Sequence, residues 1–563
     1  MSSSQHEDDK SSPVWIAPEE PSFQSPPMAG SPAVRPPSAL EALLSHDKMD
    51  METSVPEHLR FQLTANAALQ LQKEHGLRRL NYIRGVPADL ALHLLDLHWN
   101  RQHHTFHLTY RPLFMRELVE GGSYCTDFLL NAVFASSSKY SERPEVVSDK
   151  RFFARCDELL AQQSLLTYSS IPTIIGLILL GSTFNARGSS SKGWLYTGYA
   201  FRMVYDLGLH LDIKESQENA ETVEIRRRVF WGAFVVDKLQ SLYHGRSVFI
   251  ELRDANVSRN FMDTIEELEL WTPYIDPQNP DAGPNVSNKA ATPIYSISTF
   301  QNICTLSMVM TRIINQFYIV GSTVSNTQAE LDSIDSSLSS WYRNLPSHLV
   351  FEPSSNPSTQ LPNVPAPNVL ILLTTYHACI ILLHRPFISN SDLRSTKIPA
   401  NSWRKCTAAA RNITNLVLSY QSAYPLRRAS YLLSYAVYVA CSIHVRNLAT
   451  AENKGSESEK YTSLLLTCLK FLDILSLPNG GVVDLANIIR KLMADNGIPT
   501  FEADSLPNLP TPSTVQFETT SPLVPETFPF GDMAQLQDLT GFETISQDLL
   551  FGFMNENFLN GPA

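Results

Sequence analysis

The chain has 563 residues, 43% of them hydrophobic and 18% charged, enough apolar material for one large domain or two with a substantial core. A formal net charge of −12 and a pI near 5.7 exclude a surface dominated by basic contacts to phosphates. Seven cysteines, scattered from Cys125 to Cys468 without a C-x-x-C pair, argue against a disulfide framework and for buried thiols in a reducing compartment.

The stretch from Met1 to Pro56 carries nine prolines among Ser, Glu and Asp. It shows no sustained apolar period, so residues 1–56 are expected to be a disordered segment. No charged start leads into an apolar run, which argues against a signal peptide. From Phe61 the pattern changes to helix. RFQLTANAALQLQKEH is rich in good helix formers, and Pro87 opens a second helix with Leu90, Leu94 and Leu97 on one side.

His98, His103, His104 and His107 follow, and only His103 and His107 have the i, i+4 spacing of a helical ligand pair. With no cysteine or carboxylate shell in sequence beside them, surface and loop histidines are the expectation, and no metal site is assigned. Ile171 to Phe184 is the most apolar run, but it is shorter than the roughly 20 residues of a membrane span, so it reads as a core helix.

The densest region runs from Gly193 to Phe249. Leu195, Tyr199, Met203 and Leu207 recur every four residues on one helix face, and Gly208 stands where a left-handed C′ residue would end that helix. Ile225, Val229, Val236, Gln240 and Tyr243 form a second stripe, with Gly245 as its stop. Trp194, Phe201, Trp231 and Phe234 fall off the stripes, so the pair is expected in the middle of a large helical domain. Arg226, Arg227 and Arg228 sit inside it. The expectation is that they pair with acids such as Asp206 and Asp237 at a helix seam, because buried charges persist only when paired. The alternative is a phosphate or DNA contact.

A proline-rich loop from Thr272 to Asn288 interrupts the helices, and a second gap covers Phe351 to Pro367. Between and after them, further helical patterns run to about Gly497, and strand signals are nearly absent. The fold class is all-α, a large multi-helix domain over residues 57–497.

After Lys491 there is no Lys or Arg, and ten acids interleaved with Phe501, Phe517, Phe528, Phe530, Phe542, Phe551, Phe553 and Phe558 hold almost all the net charge. Residues 498–563 therefore read as an acidic, aromatic activation tail. Leu536, Leu539, Phe542, Ile545, Leu549 and Phe553 recur every three or four residues and are assigned to a helix in a partner's groove, the alternative being a last helix docked on the protein's own core.

The motif set resembles the regulatory "middle homology" domain of fungal transcription factors. The residues that carry it are the histidine-aromatic stretch leading into Arg111-Pro112-Leu113-Phe114, the run from Trp194 to Leu209, Arg226 to Trp231, Asp237, and Gly245-Arg246. Leu383 to Phe387 and Lys405 to Ala410 add two more. The family often has proline after that Gly-Arg, where this chain has Ser247. The resemblance is strongest to nitrate-assimilation and secondary-metabolite regulators. It implies a nuclear transcription regulator that activates a metabolic or secondary-metabolite biosynthetic gene set, with transcription machinery or a coactivator as partner of the tail. The lack of a Gly-rich phosphate loop, a G-x-S-x-G elbow or an H-E-x-x-H motif argues against an enzyme.

Family members typically hold two zinc ions with six clustered cysteines ahead of this domain, whereas the first cysteine here is Cys125. DNA contact is therefore expected indirectly, through an upstream zinc cluster missing from this sequence or through a partner. A small-molecule effector and a homodimer remain open; no cofactor and no membrane contact are expected. The alternative function is a helical ligand-binding or interaction protein that modulates transcription factors without activating transcription.

Overall fold

A computed structural model describes residue 65 and residues 76–147, 149–213, 219–263, 266–278, 292–318, 327–353, 364–388, 400–450 and 456–499. The activation-tail residues Leu536, Leu539, Phe542, Ile545, Leu549 and Phe553 lie outside them.

The described residues are all-α apart from two minimal antiparallel ribbons. One pairs β1 (Tyr82–Ile83) with β2 (Val86–Pro87), and the other pairs β3 (Leu270–Trp271) with β4 (Thr292–Pro293). Helix α1 (Ala88–Leu97) runs directly into a π-turn at His98–Gln102 and the short α2 (His103–Phe106). Then come α3 (Arg111–Glu120), α4 (Asp127–Ser137), α5 (Pro144–Val147) and α6 (Arg151–Gln162). The middle of the chain forms α7 (Ile171–Ala186), α8 (Ser190–Asp206) and α9 (Ala220–His244). Helices α10 (Ser296–Phe317), α11 (Thr327–Arg343), α12 (Pro367–His384), α13 (Ala400–Ala423), α14 (Leu432–Thr450), α15 (Ser456–Ser476) and α16 (Val482–Asp495) complete the body.

The helix starts follow ordinary capping chemistry. Thr126, Ser170 and Asn219 each accept a backbone N–H from the first turn of α4, α7 and α9. Gly208 and Gly245 both take positive φ at helix ends, as their places in the sequence predict.

Helix α7 is buried on all sides and packs on α4 and α8. Its contact with α8 is close enough that a Cβ on Gly193 would fall 2.1 Å from Asn185 Oδ1 and 2.6 Å from the Gly181 carbonyl. Helix α12 is long and apolar enough to cross a membrane, yet 83% of its apolar window is buried in the protein, against α10, α13 and α14. It is a core helix.

Helix α9 lies at the centre, as the stripe from Ile225 to Tyr243 predicts, touching α2, α7, α8 and α10. The stripe assigned to α8 needs correction. Leu195 and Tyr199 are 61% and 48% exposed, whereas Thr197, Ala200, Phe201 and Val204 turn inward. Small residues let α8 approach α7, so Leu195 and Tyr199 fall on the solvent side, while Met203 further along the same stripe stays buried.

Candidate functional site

The Arg226–Arg228 run sits where α9 crosses the histidine turn. The two elements meet because position 232 has no side chain: a Cβ there would fall 2.7 Å from the Phe106 carbonyl and from Leu108 Cδ2. Arg228 is fully buried. Its Nε donates to Glu224, one helical turn away, its Nη1 donates to Glu266 Oε2 at 2.8 Å, and its Nη2 donates to the Met262 carbonyl at 3.0 Å. Glu224 accepts the Met262 N–H in return.

The other face of Glu266 meets the histidines. His103 Nε2 lies 3.0 Å from Glu266 Oε1, so that nitrogen carries the hydrogen. Thr109 Oγ1 bridges His103 Nδ1 and His98 Nε2 at 3.1 and 2.9 Å. Ser296, first residue of α10, takes both His107 Nε2 at 2.6 Å and His104 Nδ1 at 2.7 Å. Arg228 Nη1 points at His107 Nδ1 from 3.5 Å, which makes that nitrogen the acceptor and Nε2 the donor. The Ser296 hydroxyl then donates to His104.

These histidines were expected on the surface or in loops. His98, His103 and His107 are instead buried, because the π-turn and the left-handed His107 fold the strip back under α9 and α10. Burial pushes His107 well below its usual range and holds His104 down to about 3, with the neighbouring His103 adding to both. Burial raises Glu266, but Arg228 and the histidines outweigh it and hold the carboxyl well below the usual range.

Ligand atoms of His103, His104 and His107 all lie within 4.8 Å of one another, the one such histidine, cysteine or acid cluster among the described residues. Both nitrogens of His103 and of His107 already have hydrogen-bonding neighbours, and a guanidinium sits beside His107. That donor set suits a polar network better than a dication.

The remaining arginines are also scaffold, with partners other than those expected. Arg227 forks onto Asp212 at 2.9 and 3.0 Å, and Arg226 donates to the Leu207 and Gly208 carbonyls at the end of α8. Asp206 receives the Ser169 hydroxyl. Asp237 instead pairs with Lys238 at 2.7 Å and accepts the Phe249 and Ile250 N–H groups, pinning the chain after Gly245 onto α9. The turn therefore closes without a proline at Ser247.

Two of the later motifs meet on one carboxylate. His384 Nε2 lies 2.9 Å from Asp335 Oδ1 and Lys405 Nζ donates to Asp335 Oδ2 at 2.7 Å, so α12 and α13 both anchor α11. The loop from Thr272 is held at its start: Arg143 forks onto Asp276 at 2.6 and 2.7 Å, and Arg428 donates to the Tyr274 carbonyl. Residues 279–288 of that loop lie outside the described residues.

Sequence reasoning missed Glu266, Ser296, Asp212 and Asp335. Only Glu224 left a trace, as the i−4 partner of Arg228. What the arrangement does chemically is cross-link: opposite charges, imidazoles and the Ser296 hydroxyl are consumed pairwise inside the fold.

Residues 95–343 match the family described as the fungal specific transcription factor domain. The chain is 30% identical over 379 residues to the nitrogen assimilation transcription factor nit-4 of Neurospora crassa, which is 64% of this chain and 33% of that protein. It is 30% identical over 378 residues to the nitrogen assimilation transcription factor nirA of Emericella nidulans, 64% of this chain and 40% of that one. A more distant relative is the transcriptional activator protein acu-15 of Neurospora crassa, at 23% over 298 residues, 51% of this chain and 30% of that one. The aligned part thus spans only about a third of these relatives' length. Over residues 95–343 the helical body of this chain is thus similar to the fungal specific transcription factor domain.

Proposed function

We propose that this protein is a nuclear transcription activator whose helical domain regulates the output of an acidic, aromatic tail. The observation that carries the reading is the domain match over residues 95–343, followed after Lys491 by ten acids, eight phenylalanines and no basic residue. Relatives named as nitrogen regulators and as an activator support a metabolic gene set as the target. The central arginines are consumed inside the fold, so contact with DNA comes from a zinc cluster outside this sequence or from a partner. Leu536, Leu539, Phe542, Ile545, Leu549 and Phe553 are the residues assigned to the coactivator's groove.

The test is a fusion of residues 498–563 to an unrelated DNA-binding domain. It should drive a reporter in a fungal host, and alanine at Leu539, Phe542 and Leu549 together should silence it. A silent parent fusion supports the other reading, a helical interaction protein that activates nothing itself.

A further inference from the structure

Arg101 stands apart from every other buried cation discussed above. It lies in the π-turn, is 8% exposed, and stacks its guanidinium carbon 5.0 Å from the centre of the Trp271 ring. The Tyr420 hydroxyl interacts with the guanidinium, and among the described residues no carboxylate or carbonyl accepts from Nε, Nη1 or Nη2. The groups that act on it most strongly are Tyr420, Arg428, Tyr140 and Tyr424, none of them a carboxylate. The nearby Arg428 does have a counter-ion, Glu142, at 3.1 Å. Among the described residues one positive charge is left over.

That charge faces a cavity. Arg101, Asn100, Trp271, Asn368, Tyr420 and Arg428 are among its walls, and it adjoins a second cavity across His104, Thr105, Asn368 and Ile371. Each has about 20 Å³ in which the centre of a water-sized molecule fits, about one small group apiece, so a ligand of three or four heavy atoms would have to span both. The Asn100 Oδ1 atom is buried without a partner as well.

An isolated guanidinium taken out of water costs several kcal/mol unless an anion compensates it. Water in the cavity would satisfy hydrogen bonds but leave the charge uncompensated. A planar fork of N–H donors matches a planar oxyanion through two parallel hydrogen bonds. The size excludes nucleotides and sugars, and the single excess charge matches a monoanion. π-turns recur at functional sites, which fits a side chain displaced from ordinary helical register.

We propose that Arg101 and the cavity beneath Trp271 bind a small planar monoanion, a short carboxylate or an inorganic oxyanion of the same shape. The ligand sits in the plane of the guanidinium and bridges the π-turn to the start of α12, whose Asn368 and Ile371 form the opposite wall. This deepens the reading of the domain as a regulatory module by naming an effector class, and it is read on purified protein, so a silent tail fusion leaves it standing.

The experiment is a thermal-shift and tryptophan-fluorescence titration of the full 563-residue chain at constant ionic strength, replacing chloride by formate, acetate, nitrate or sulfate. At least one planar ion should give a saturable rise in Tm in the millimolar range, as a ligand binding only the folded state requires. Planar ions that bind should compete for one site. Arg101→Gln should lose the saturable rise while melting no lower than the parent in chloride, and Arg101→Lys, which keeps the charge without the fork, should bind more weakly.

A response to formate and acetate alone supports the site and assigns it to a carboxylate; a response to nitrate supports it and admits a free inorganic ion. The proposal is overturned if sulfate alone responds, if no planar ion gives a saturable response in the parent, or if both Arg101 variants respond as the parent does. The parent's ion series decides the matter even if neither variant folds.

Discussion

Arg228 Nη1 donates to Glu266 Oε2 at 2.8 Å with both side chains buried, and this pair ties α9 to the chain just past its loop at residue 262. The same carboxylate receives His103, so three distant segments meet on one acid. Taken from water, two such charges gain little net stability together, but removing one partner strands the other.

Arg228→Met is therefore expected to destabilise the domain by about 3–5 kcal/mol, because it leaves Glu224 and Glu266 buried without their cation. Glu266→Gln should cost less, since Glu224 still faces the guanidinium. Urea unfolding followed by circular dichroism checks both, and equal losses for the two variants would contradict the network.

Trp231 is 3% exposed and donates its indole N–H to the Ser258 carbonyl at 3.0 Å. Trp231→Ala should lower stability by about 3–5 kcal/mol, the usual loss for a large buried aromatic that leaves a cavity. A melting temperature within a degree or two of the parent would show that the site relaxes into the space.

The all-α class and the central place of α9 were legible because hydrophobic period survives in the sequence. An α9 apolar on several faces reads as buried, and it is. The α8 stripe misled, since periodicity shows which residues share a face but not which face turns inward. That was decided by Gly181, Gly193 and Thr197, whose small size lets two backbones approach. The histidine hub was illegible for a different reason. Glu266 and Ser296 lie more than 150 positions from His103 and His107, and nothing local in the sequence marks them as partners.

Acid should destabilise the domain early. Burial, with help from nearby Arg143 and Arg246, holds His93 down to about 4 and His244 down to about 3, and His107 is lower than usual for the same reason. In the unfolded chain these imidazoles titrate near about 6.5. Below that pH the unfolded state binds more protons, so stability is full above it and falls as pH drops toward the folded values. Each such histidine should contribute a loss on the order of 1 kcal/mol by about pH 5.5. The lowered carboxyl of Glu266 acts in the same direction at still lower pH. Urea midpoints at about pH 7.5 and about pH 5.5 test this; a midpoint that does not move would mean these histidines are solvated.

The purified chain should hold no stoichiometric zinc. His103, His104 and His107 are close enough to suggest a site, but Glu266, Thr109 and Ser296 already engage their nitrogens, and Arg228 lies beside them. Elemental analysis after dialysis checks it, and one zinc per chain that is lost in His104→Ala would convert the network into a metal centre.

The chain by itself should have no useful sequence-specific affinity for duplex DNA. Specific binding is built on many Lys and Arg contacts to phosphates, from which a few side chains reach the bases. This protein is acidic overall, and its longest basic run is used internally: Arg228 on Glu224 and Glu266, Arg227 on Asp212, Arg226 on two carbonyls. Releasing Arg228 to a phosphate would strand buried Glu224 and Glu266, a cost that one exposed phosphate contact does not offset. Promoter association in cells should then depend on a partner or on a segment outside these 563 residues. Electrophoretic mobility shift at low salt, with promoter and random duplexes, is the measurement. A discrete band at nanomolar protein that survives about 150 mM salt, where nonspecific contacts weaken steeply, would overturn the expectation. Loss of such a band in Arg227→Ala, with the fold intact by circular dichroism, would move the central arginines from scaffold to DNA contact.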